Sequence, residues 1–94
     1  MSLTPTFTPT AYATFGTSAT PFTGKAAVRG IFVSSATGAT IAVFDGTGTS
    51  VTVVPTFSAT AATWYPLGDV TCGSAINIVT AGTMSASLAF VPVT

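Results

Sequence analysis

The chain has 94 residues, of which only four are charged (Lys25, Arg29, Asp45 and Asp69), giving a net charge of zero, while 48% are hydrophobic and twenty are threonine. Ordinary soluble domains are about 25% charged, so little here keeps copies of the chain apart, and much of the surface is expected to lie against other subunits. Two cations are too few to hold nucleic acid through its phosphates, no apolar run approaches the roughly 18 residues of a membrane helix, and the length suits one domain.

Residues 1–24 read as an extended N-terminal arm. Thr4, Thr6, Thr8 and Thr10 alternate with Pro5, Phe7 and Pro9, and proline fixes φ and biases its predecessor toward extended backbone. Residues 1–10 have neither the basic start nor the apolar stretch of a secretory signal. Tyr12, Phe15 and Phe22 add aromatic anchors that a free tail has no reason to carry. The arm is therefore expected to dock, with Pro5, Phe7, Pro9 and Tyr12 as contact residues.

Residues 25–94 read as a single β-domain. Apolar β-branched runs recur between clusters of Gly, Ser, Thr and Asp. Residues 26–33 form the first strand, with Val28, Gly30 and Phe32 on one face and Ala27, Arg29, Ile31 and Val33 on the other. Residues 34–38 read as a turn and 40–44 as a strand. Asp45-Gly46-Thr47-Gly48 is a hairpin signal, because glycine tolerates positive φ and aspartate bonds local backbone. The third strand, 49–54, is ended by Pro55 or held at an edge by it.

Residues 56–63 are irregular in pattern. Residues 64–66 form a short strand or corner, and Leu67-Gly68-Asp69 a turn before 70–72. Trp64 and Tyr65 must point to opposite faces; Trp64 is expected inside and Tyr65 at an interface. Residues 75–80 form a strand, Ala81-Gly82 a turn, and 83–91 a strand in which Met84, Ala86, Leu88 and Phe90 alternate with Ser85, Ser87 and Ala89. The fold class that follows is all-β: a small antiparallel β-sandwich or jelly-roll-like domain of seven or eight short strands.

Catalytic groups are scarce. The chain has no histidine and no glutamate, so neither a general base nor an activated hydroxyl is in prospect, and the chain is not expected to be an enzyme. Scattered Asp, Asn and Cys residues do not make a metal site, and no cofactor is expected. Cys72, the one cysteine, reads as a small apolar filler. With Asp45 and Asp69 assigned to turns, Lys25 and Arg29, of equal parity on the first strand, are the ions left to specify a partner.

The order Arg29-Gly30-Ile31-Phe32-Val33, Ile41-Ala42-Val43-Phe44-Asp45-Gly46, Trp64-Tyr65-Pro66-Leu67, Ala75-Ile76-Asn77-Ile78-Val79, Ser87-Leu88-Ala89-Phe90 resembles a group of small β-sandwich structural proteins of tailed bacteriophages. The resemblance covers about three quarters of the chain, from roughly residue 24 to 93. It implies a virion component made in the host cytoplasm: a decoration or cement protein on the capsid exterior that bridges major capsid protein subunits, often as a trimer. A head-fibre, tail or baseplate protein is the neighbouring reading. A carbohydrate- or ice-binding module is a different one, prompted by the Thr-x-Thr series and by Trp64-Tyr65.

Overall fold

Two strands of unusual length organise the molecule. The computed structural model describes residues 10–93, and six strands run through them: β1 (Ala11–Phe15), β2 (Ala19–Thr23), β3 (Ala26–Asp45), β4 (Val51–Ser58), β5 (Thr63–Cys72) and β6 (Ala75–Pro92). All pairings are antiparallel, in one hydrogen-bonded sheet. β3 and β6 pair along their whole length, from Ala26↔Pro92 to Asp45↔Ile76. On the far side of β6, β1 and β2 follow one another, and on the far side of β3, β5 and β4 do the same.

A straight strand of 20 residues spans about 60 Å, yet the two ends of β3 lie close together. Cys72 is the register partner of Ala26, and three residues later the Ala75 amide donates to the Asp45 carboxylate at 3.4 Å. Three residues reach at most about 11 Å. The rings of Phe22, opposite Ile76 at the start of β6, and Phe90, near its end, have centroids 5.2 Å apart. The β3–β6 ribbon is thus folded across its middle, and its halves close on each other.

Counting β3 and β6 as two half-strands each gives eight strands in two layers. One layer is β1, late β6, early β3, β5, and the other is β2, early β6, late β3, β4. This order of half-strands is compatible with that of a jelly roll. The layers stay hydrogen-bonded to each other through β3 and β6, where two separate sheets joined by loops would not be.

The turns expected at 34–38 and 81–82 are therefore the corner of the ribbon. Register shifts fall between Val33 and Ser35 and between Thr37 and Thr40, which bend paired strands without ending them. Gly38 (φ 57) and Gly82 (φ 81) face each other there in left-handed backbone. Pro55 does not end β4; it sits on an edge strand at a register shift, where its missing donor costs no ladder bond. Pro21 in β2 and Pro66 in β5 are likewise on edge strands.

Of the segment read as an arm, residues 11–23 are built into the sheet as β1 and β2. Pro5, Phe7 and Pro9 lie outside the described residues. The core draws on both layers, with Val28, Ile31, Val33, Ile41, Val43, Ile76, Ile78 and Leu88 fully buried. No polar or charged side chain is buried among the described residues.

Candidate interaction surface

The first layer carries an aromatic outer face that originates in a bulge. Between Val28↔Phe90 and Gly30↔Ala89, β3 holds one extra residue, Arg29. The bulge reverses the inward parity of the strand, so Val28 and Ile31 both enter the core and Phe32 turns out. On β5 the same place is answered by Gly68 (φ 65) and Asp69 (φ 60), a left-handed pair that glycine and aspartate tolerate. The regular strand expected over 26–33 is thus broken at the residue meant to define its charged face.

Two cross-strand rows lie on the outer side of this layer. One is Tyr12, Ala89, Gly30 and Pro66; the next is Thr14, Ser87, Phe32 and Trp64. Tyr12 is 72% exposed, Trp64 47% and Phe32 42%. The six-membered ring of Trp64 covers Gly30, since a Cβ at residue 30 would lie 2.5 Å from Cζ2 and Cη2 of the indole. Gly30 thus gives the indole a seat close to the sheet, while nearly half of the residue stays open to solvent. The result is a shallow apolar platform across four strands, with hydroxyls from Thr14 and Ser87 between the rings and no ionised group within either row.

The orientation of the Trp64-Tyr65 pair is the reverse of the expectation. Tyr65 turns inward, packs against Phe57 with ring centroids 4.9 Å apart, and accepts a 2.7 Å hydrogen bond on its hydroxyl from the Thr60 amide. It fastens the β4–β5 junction instead of facing a partner. Trp64, expected inside, is the outward residue. Alternation alone gives opposite faces; which face is inner is set by the partner strand β3, whose parity changes at Arg29.

The ions are also placed differently. Arg29 is not unpaired: its Nε lies 3.8 Å from Oδ1 of Asp69, with both side chains about half exposed, an interaction worth at most about 1 kcal/mol. Lys25 precedes β3 and is exposed; its carbonyl accepts from the Val93 amide. Arg29 and Asp69 therefore sit as a neutral pair beside the platform, in place of two cations on one strand face.

Asp45 is more than a hairpin residue. Its carboxylate accepts from the amides of Gly73 (2.8 Å), Ser74 (2.9 Å) and Ala75 (3.4 Å), clamping the end of β3 to the crossover between β5 and β6. The Gly73 and Ser74 amides hold its pKa below the ordinary aspartate value of 3.8. Cys72 beside this crossover is fully buried. Burial, and then the nearby Asp45 charge, push its thiol above the usual value, so it is a poor nucleophile and ligand.

Among the described residues no three His, Cys, Asp or Glu side chains come together as a metal site, and no helix is long and apolar enough to cross a membrane. Comparison with protein-family models, with curated proteins and with solved structures gives no match to this chain.

Proposed function

We propose that this chain is a non-enzymatic structural subunit of a virion, a decoration or cement protein that binds the outside of a capsid and stabilises the lattice of the major capsid protein. The observation that carries the reading is the pairing of a surface with four charges in 94 residues with an open platform of Tyr12, Phe32 and Trp64. Aromatic residues are enriched at protein contacts and charged ones depleted from their centres. A subunit with few ions also buries few unpaired charges on assembly. The jelly-roll order is compatible, being used by viral shell proteins among others; fold alone does not assign function.

The test is re-addition. Particles lacking the chain should release their genome at a lower temperature than complete ones, and the purified chain should restore the difference. Release at one temperature with and without the chain would overturn the reading.

A second reading, a glycan-binding module, is favoured by the same rings, since a flat aromatic platform flanked by hydroxyls also suits the apolar face of a sugar. Binding of the isolated chain on a glycan array, with loss in Trp64→Ala, would support it over the first.

A further inference from the structure

We infer that the aromatic platform of one copy receives residues 1–9 of a neighbouring copy, so that the chain oligomerises by exchange of N-terminal segments. This rests on the reading of the chain as an assembly subunit and adds to it the receiving surface.

Four observations carry the inference. The segment and the platform match in chemistry: residues 1–9 contain no charged side chain and bring Leu3, Pro5, Phe7 and Pro9, while the platform's two rows are free of ions. Proline-rich segments are bound in other proteins by aromatic-lined surfaces, where their restricted backbone lowers the entropy lost on docking.

The reach suffices. Nine residues at about 3.1 Å each extend about 28 Å, whereas the platform crosses four strands, three spacings of about 4.8 Å.

Direction favours a neighbour over the chain's own face. β1 runs from Ala11, opposite Phe90, to Phe15, opposite Ala86, and Phe32 lies opposite Ser87. Continuing β1 backward past Ala11 leads away from Phe32 and Trp64, beyond the end of the layer.

Finally, the platform is the more open of the two outer faces. In the second layer the corresponding outward positions hold Thr20, Asn77, Phe44, Val79 and Ala42, none of them a highly exposed aromatic. Asn77 there is already engaged, donating to the Gly48 carbonyl at 2.8 Å.

Trp64 is the one tryptophan in the chain, so its emission reads occupancy of the platform directly. The experiment uses the purified full chain without capsid, light scattering for mass and fluorescence for Trp64. The wild type should be oligomeric, with short-wavelength emission that shifts to the red on dilution. The variant Pro5→Ala/Phe7→Ala/Pro9→Ala should associate at least about tenfold more weakly and emit as an exposed indole. A synthetic peptide of residues 1–10 should restore the short-wavelength emission of that variant saturably.

The platform variant Tyr12→Ser/Phe32→Ser, which alters two exposed side chains, should lose association to a similar degree. Unchanged mass and emission in the arm variant would overturn the inference, as would a monomer whose emission is already short-wavelength. A shift produced by an oligosaccharide and not by the peptide would overturn it in favour of a glycan. Failure of re-addition to particles leaves these readouts unaffected, so the two proposals fail separately.

Discussion

Gly82 meets the carbonyl of Gly38 so closely that any side chain at residue 82 would overlap it, and both residues occupy left-handed backbone. The contact joins the two long strands at the corner where the ribbon folds. At residue 38 the space around a Cβ is open, so the two glycines are there for different reasons, one for conformation and one for conformation and room. Gly38→Ala should cost about 1–2 kcal/mol, the penalty of left-handed backbone. Gly82→Ala should cost more than about 3 kcal/mol or abolish folding, because backbone must also move. Urea unfolding of the two variants, read at constant slope, compares them.

The Asp45 clamp makes stability fall in acid. Its folded pKa is depressed, so its contribution is present in full above the unfolded aspartate value. It diminishes as pH falls below 3.8 and is gone below the folded value. Thermal melts of the wild type across this window should fall more steeply than those of Asp45→Asn, which keeps an oxygen acceptor but does not titrate. At neutral pH Asp45→Ala should melt below wild type, because three amides lose their acceptor.

Tyr65 and Trp64 should separate stability from association. Tyr65→Phe removes the acceptor of the Thr60 amide and keeps the packing on Phe57, at a cost of about 1 kcal/mol. Trp64→Ala should affect the melting temperature less than a core truncation such as Leu88→Ala, which should cost about 2–5 kcal/mol. Its effect should appear in oligomer mass instead. Calorimetry and light scattering on the same samples check both.

Cys72 should be inert in the folded chain. A thiol reagent should leave it unmodified in native buffer and label it completely in denaturant, with the native rate following the opening of the sheet. Rapid native labelling would mean that the crossover beside Asp45 is open in solution.

Much of the fold is legible in the sequence, and the misreadings of residues 34–38, 81–82 and the Trp64-Tyr65 pair share one cause. Alternation over 83–91 and 75–80 marks strands, but the seven or eight strands expected within residues 25–94 number six there when β3 and β6 are counted by halves, because 64–66 and 70–72 are one strand, β5, and the other two, β1 and β2, come from the segment read as an arm. Residues 34–38 and 81–82 read as turns because glycine and small polar residues mark both turns and bulges. Only pairing between segments about 50 residues apart distinguishes the two. The same holds for the platform: Arg29 looks like any outward strand residue until its bulge against β6 is known, and that bulge decides that Phe32 and Trp64 face out while Tyr65 faces in. The aromatic types were visible; their convergence on one face depends on register.

If this charge-poor β-domain is covered by other subunits, as proposed, its copy number in purified particles, measured by quantitative mass spectrometry against the shell protein, should be comparable with that of the shell subunit. A handful of copies per particle, or a chain recovered only as free monomer, would contradict it.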